Sequence, residues 1–290
     1  MKRFKSLVLT CFFITSVEVF ATPQNDILLL MGGDKDAQSI AAGQRANIAT
    51  DTNMLLIDAV QQYQFKAQFV PQARLERSLH ASENVCATNR IKTPQRIKKY
   101  LFSTPLNLYL GQRLYSLGSA NKLPPAVLDE EGRLHSLNAL FKHYPRKMLA
   151  INQGRSFGEK IDAQITKLPA KNRILLGGSQ ANDAIFQMLI RKRIDYQLEY
   201  PAYMKSLIRA NKQPVKLQVH EINGLQPYII GYVNCPKSEQ GKQVIEAVNW
   251  ALQRLYQNQA FHQAHIRYID PIDRVAFDRY FAKVFLPVGD

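Results

Sequence analysis

Apolar positions along the chain switch repeatedly between short continuous runs and a helical repeat. Residues 27–31 are a compact apolar run, which predicts a buried strand, while Met54, Leu55, Ile57, Ala59 and Val60 recur at helical spacing within 48–63. The same reading gives an extended segment at 68–70, a short helix at 75–79, a strand at 85–87 and a helix at 93–99. Pro124, Pro125 and the charged stretch 129–132 mark a linker, and then the pattern resumes. Residues 137–141 precede a strand at 148–151, a helix carrying Ile161 and Ile165, a strand at 174–176, a helix at 181–190, and strands at 194–198 and 216–220. Alternation of this type predicts an α/β chain whose sheets carry helices on both faces, and two passes separated by a linker predict two lobes.

The last third does not open a third lobe. "PYIIGYVNC" (227–235) reads as a buried strand, followed by a helix at 238–257 with Val244, Ile245, Val248, Leu252 and Leu255 on one face. A lone strand and helix cannot close a core, so they are assigned to the first lobe, with a cleft between the lobes.

The N-terminus changes the compartment. Lys2, Arg3 and Lys5 precede an apolar run over 7–17, and Val19 and Ala21 stand at the small-residue positions of a signal-peptidase site. Residues 1–21 are read as a cleaved secretory signal with the cut after Ala21, which places the mature chain in the periplasm. Glu18 and the short apolar core argue against an uncleaved anchor. Of the 290 residues 46% are apolar, enough for a proper core in two lobes. The net charge of +15 falls to +13 on cleavage, with 35 basic residues against 22 acidic, and favours acidic small molecules or acidic surfaces. Nucleic acid is not an expected partner, since no recognition motif is present. Cys86 and Cys235 are the cysteines left after cleavage; in an oxidising compartment they are a disulfide or two buried thiols.

Candidate chemistry is sparse. "RKMLAINQGRSFGEKIDAQI" (146–165) places Arg155 and Ser156 between an apolar run and a helix start, where free backbone N–H groups suit an anion, although an ordinary strand-to-helix connection has the same look. His262 and His265 stand one helical turn apart, but no acidic or Cys ligand accompanies them, so a solvated helix face is expected rather than a metal site. Neither a nucleophile elbow, a phosphate loop nor a dinucleotide fingerprint occurs, and no cofactor is expected.

Several segments, taken in order, carry a family resemblance. "RLERSLHASENVCATNRIKTPQRIKKYLFSTPLNLYLGQRLY" (74–115), "MLAINQGRSFGEKID", "IRKRIDYQLEYPAY" (190–203) and "YIIGYVNCPKSEQGKQVIEAVNWAL" resemble the family 3 extracellular (periplasmic) solute-binding proteins of amino-acid-binding type. The resemblance implies a two-lobed type II periplasmic binding fold, with lobe 1 at 22–115 and 227–290 and lobe 2 at 116–226. It implies that Arg96, in a turn begun by Thr93, forks onto a ligand carboxylate, a task that suits the paired donors of a guanidinium. Gly154, Arg155, Ser156 and Phe157 would meet the ligand from lobe 2, and Thr88 and Asn89 would add hydrogen bonds from lobe 1. Asp34, in the segment after Met31, is counted with the ligand-binding residues.

Departures from the family pattern leave the ligand open. The position that takes a ligand ammonium is matched by Tyr200, with Glu199 beside it. Asn84 stands where the family has an aspartate, and the segment after Met31 lacks the usual stacking aromatic. An amino acid, another anion or an acidic peptide-like solute all fit. The implied function is capture of a small polar or anionic solute by a monomer that serves an inner-membrane ABC transporter or a sensor. The alternatives are a periplasmic enzyme on the same scaffold, similar to cyclohexadienyl dehydratases and with Glu199 as its acid, or an envelope interaction protein without a pocket. The resemblance also places the returning strand antiparallel to the one before the Thr-x-x-Arg turn, which implies a Cys86–Cys235 disulfide.

Overall fold

The computed structural model describes residues 25–118 and 123–286, without the side chains of Asn25 and Asp34. The expected signal segment, 1–21, lies outside the described residues. The first pass runs β1 (Asn25–Met31), α1 (Asp34–Ala41), α2 (Ile48–Ala59), β2 (Tyr63–Phe69), α3 (Gln72–Ala81), β3 (Val85–Arg90), α4 (Pro94–Lys99), β4 (Tyr100–Phe102) and β5 (Asn107–Leu110). The second comprises β6 (Arg113–Leu117), α5 (Leu137–His143), β7 (Leu149–Asn152), α6 (Glu159–Lys167), β8 (Arg173–Leu176), α7 (Ala181–Ile190), β9 (Tyr196–Glu199), α8 (Pro201–Ala210) and β10 (Leu217–His220). The chain then returns through β11 (Tyr228–Pro236), α9 (Glu239–Tyr256), α10 (Gln259–Ile266) and α11 (Arg274–Phe285).

Two sheets result. The first has the order β2-β1-β3-β11-β4, with β5 also paired to β11, and the second the order β10-β6-β9-β7-β8. β11 runs antiparallel to β3, with Asn234 opposite Ala87, as the resemblance implies. Cys86 and Cys235 are joined by a disulfide with Cα atoms 4.4 Å apart. β1, β3 and α9 pack into one core through Ile27, Leu29, Cys86, Val244, Val248 and Leu252. In the second sheet the two-residue period divides β7 between two cores: Leu149 and Ile151 face Phe141 and Ile161, while Ala150 faces Ile185 and Leu189.

The sequence reading misplaces some boundaries. The helix expected over 48–63 ends at Ala59, because from Tyr63 the side chains alternate between buried and exposed, a strand period. Arg113, Leu114 and Tyr115, assigned to lobe 1 by resemblance, pair with β9 in the second sheet. His265 is not on a solvated face: it is fully buried among Phe261, Phe277, Phe281 and Phe285, and its Nδ1 lies 2.8 Å from the Phe261 carbonyl. His262 instead meets Asp278 at 2.8 Å.

The two crossings between the sheets lie side by side. Gly111 N–H donates to the Pro227 carbonyl at 2.8 Å. A Cβ at Gly111 would stand 2.3 Å from the Gln226 carbonyl oxygen, so only glycine allows this approach. Paired crossings of this type form a natural hinge.

Candidate functional site

The second-lobe wall begins where β7 ends. Gly154 has φ +80, and a Cβ there would stand 2.8 Å from Ala73 Cα and 2.9 Å from Ala73 N, so this turn rests directly on the start of α3 in the first lobe. The neighbouring Arg155 forks onto Glu199, with Nη1 to Oε2 at 2.7 Å and Nη2 to Oε1 at 2.6 Å, and also reaches Asn182 Oδ1 at 3.3 Å. Tyr200 N–H donates to the same Glu199 Oε1 at 2.8 Å. The guanidinium carbon lies 5.0 Å from the Phe157 ring centre and 5.2 Å from that of Tyr200. Burial opposes the Arg155 charge, and Glu199 more than offsets it, so its pKa is raised. Arg155 is thus satisfied within its own lobe.

Ser156 Oγ donates to Asp162 Oδ2, and Phe157 N–H donates to Asp162 Oδ1 at 2.7 Å. Burial raises the Asp162 carboxyl; those two donors and the charge of Arg96 pull it back in part. Tyr200 stacks on Tyr109 of the first sheet with ring centres 5.2 Å apart, and Lys35 of α1 pairs with Asp183 of α7. The lobes therefore touch along the turn at Gly154, the tyrosine pair and this ion pair.

The first-lobe wall is built by α4. Thr93 caps it by accepting from Arg96 N–H, and Pro94 fills the first helical position. Arg96 Nε donates to Glu76 Oε1 at 3.3 Å and its Nη1 to the Ile91 carbonyl at 3.2 Å. Glu76 is shared: Arg90 Nη2 donates to Oε1 at 2.5 Å and the Tyr100 hydroxyl to Oε2 at 2.7 Å. Burial pushes the Glu76 carboxyl up, but Tyr100, Arg90 and Arg96 together hold it below its ordinary value. Arg90 is lowered to about 10 by burial and by Arg96 beside it.

Between the walls lies a cavity of about 300 Å³ lined by Glu76, Thr93, Gln95, Arg96, Lys99, Gly154, Arg155, Ser156 and Asp162. Thr93, Arg96, Gly154, Arg155 and Ser156, all expected from the sequence, meet here. Phe157, Glu199 and Tyr200 sit behind this lining as the support of Arg155. Thr88 and Asn89 are elsewhere, in a network within the first lobe: Thr88 Oγ1 donates to Asn53 Oδ1 at 2.6 Å, and Asn107 Nδ2 to Asn89 Oδ1 at 2.5 Å. Asp34 opens α1, but its side chain is outside the described residues. A hollow of about 370 Å³ on the first lobe, beside His80, Lys99, Lys237 and Ser238, takes nothing from the second lobe. Among the described residues there is no cluster of three or more His, Cys, Asp or Glu that could hold a metal.

Glu76, Arg90, Lys99, Asp162 and Asp36 were not singled out from the sequence. Asp36 accepts from Asn47 Nδ2 at 2.7 Å, and its carboxyl is raised by burial against the opposing pull of Asn47 and Arg155. The acid six positions after Ser156 was the one local signal, because a helix start accepts acids in its first turn.

No family model and no curated protein matches the sequence. Solved structures do. Holo ArgBP from T. maritima is 15% identical with a TM-score of 0.57, covering 89% of this chain and 96% of its own. A structure from the GshT and cystine ABC importer TcyBC system of glutathione import in Streptococcus mutans is 15% identical with a TM-score of 0.62, covering 84% and 95%. An ABC uptake transporter substrate-binding protein from Streptococcus pneumoniae with bound histidine is 16% identical with a TM-score of 0.61, covering 84% and 92%. At these identities the likeness establishes the architecture: this chain has the two-lobed type II periplasmic binding protein fold.

Proposed function

We propose that the chain is a periplasmic solute-binding protein of the family 3 type, which closes two lobes over a small polar solute and presents it to a membrane transporter or sensor. The observation that carries this reading is the cavity of about 300 Å³ to which α4 and the turn after β7 contribute from opposite lobes. The lobes divide at the paired crossings near Gly111 and Pro227, and the signal segment is removed after Ala21. The relatives of this fold named above are tied by name to arginine, histidine, glutathione or cystine handling, which supports a solute of that size. Glu199, on which an enzymatic alternative depends, has both oxygens engaged by Arg155.

The test is closure. A solute bridging both walls shifts a hinge equilibrium toward the closed form. Thermal-shift screening of the mature protein against amino acids and small carboxylates identifies the solute, since a ligand that binds the folded state raises Tm. Small-angle scattering then gives a smaller radius of gyration with that solute than without. An unchanged profile at saturation contradicts a hinged receptor.

A further inference from the structure

The carboxylates around this cleft are already engaged, and its free donors belong to two cations and an amide. Glu199 receives the Arg155 fork and Tyr200 N–H. Asp162 receives Ser156 Oγ and Phe157 N–H. Glu76 receives Arg90, Arg96 and Tyr100. Asp36, which is not part of the cavity lining, takes Asn47, and Arg155 draws down a carboxyl that burial raises. By contrast, Lys99 Nζ and the Gln95 amide have no hydrogen-bond or ion-pair partner among the described residues, and Arg96 Nη2 has no acceptor there.

Charge points the same way. Two guanidiniums share the single carboxylate of Glu76, which leaves one positive charge on that wall, and Lys99 adds another one helical turn beyond Arg96. Arg155 and Glu199 cancel, and Asp162, held by two neutral donors, offsets one of these charges, so the lining keeps a net positive charge. An ammonium entering this cavity would compete for acids that already hold a cation or two hydrogen bonds, inside a lining of net positive charge, while a carboxylate meets Arg96 Nη2 and the exposed Lys99 and Gln95. Like charges repel across a narrow cleft, so this difference selects between solutes.

We propose that the solute is an organic carboxylate or dicarboxylate lacking an ammonium group, bound by Arg96 and Lys99 of α4. The assignment rests on the solute-binding reading above and narrows it. It separates this cleft from one built for amino acids, because the acid beside Tyr200 is spent on Arg155.

Calorimetric and thermal-shift titrations of the mature protein with matched pairs test it: succinate against aspartate, glutarate against glutamate, propionate against alanine and hydrocinnamate against phenylalanine. The expected result is that at least one des-amino member binds about tenfold or more tighter than its amino counterpart, a difference of one decade in Kd. Lys99→Gln should then weaken that carboxylate about fivefold, the upper range for an exposed charge pair, while Lys98→Gln, outside the cavity lining, leaves it unchanged. Equal or tighter binding of the amino acids, or indifference to Lys99→Gln, overturns the assignment and leaves the receptor reading standing. Silence from both halves of the panel overturns both.

Discussion

The cleft has two walls, each with a buried arginine bound to a glutamate, and they are built on different balances. In the second lobe Arg155 and Glu199 pair one to one, with the glutamate side chain 1% exposed and the guanidinium between two aromatic rings. In the first lobe Arg90 and Arg96 share Glu76, whose side chain is 40% exposed, and Lys99 beside them has no ion-pair partner among the described residues. A closed pair orders the wall behind a site but has nothing left to offer a ligand. An under-neutralised group keeps a charge and free donors facing the cavity. Under the proposed function, binding thus falls to the first wall, and shaping and closure to the second.

The largest effect lies beneath the binding wall. The Cys86–Cys235 bond spans 149 positions, for which the chain-entropy model gives about 5 kcal/mol, so replacing both cysteines with Ala should lower the denaturation midpoint strongly. Unchanged stability would show that the staple does not support this wall. Next comes Glu199→Ala, which strands a buried guanidinium and should cost about 3–5 kcal/mol of stability in denaturant titration. Combining it with Arg155→Met should restore most of that loss. Without such recovery, the pair is not the closed unit described above.

Acid reads the first lobe through His265. Burial lowers its pKa from 6.5 to about 4, so the folded state refuses a proton that the unfolded chain takes up. Stability is therefore full above pH 6.5 and falls as the pH drops toward 4, by roughly 3 kcal/mol. His265→Phe should flatten that part of the pH profile; an identical slope would assign it to other groups. The smallest effect is at the shared acid. Glu76→Gln keeps an acceptor for Arg90 but removes its counter-charge and should cost about 2 kcal/mol of stability, while carboxylate affinity rises because the wall gains charge. Weaker anion binding in that variant would mean that Glu76 positions Arg96 rather than tempering it.

The architecture was readable where burial leaves a periodic mark. β1 and β11 carry near-continuous apolar runs, β3 opens on Val85, Cys86 and Ala87, and α9 repeats Val244, Ile245, Val248, Leu252 and Leu255 on its buried face. The antiparallel return of β11 beside β3 came from the family resemblance, and with it the cysteine pair. α1 escaped notice because its sequence, "DKDAQSIA", is mostly polar and buries little. Within the site, the Arg155–Glu199 fork was hidden for a different reason. Its members are 44 positions apart and meet because β7 and β9 are parallel neighbours, Leu149 opposite Tyr196, so that both side chains emerge at the same sheet edge. Parallel register leaves no local trace in a sequence. Glu76, Arg90 and Arg96 likewise converge from three elements, and only Arg96 had a motif around it.

The central claim is that the first wall, through Arg96, holds the solute. Titration calorimetry of the parent and of Arg96→Ala, with the tightest-binding member of the carboxylate and amino-acid panel, tests it directly. Removing a desolvated charged partner costs on the order of 2–5 kcal/mol, so the variant should bind at least about thirtyfold more weakly while its melting temperature stays near that of the parent. Equal affinity in the two proteins would contradict the account.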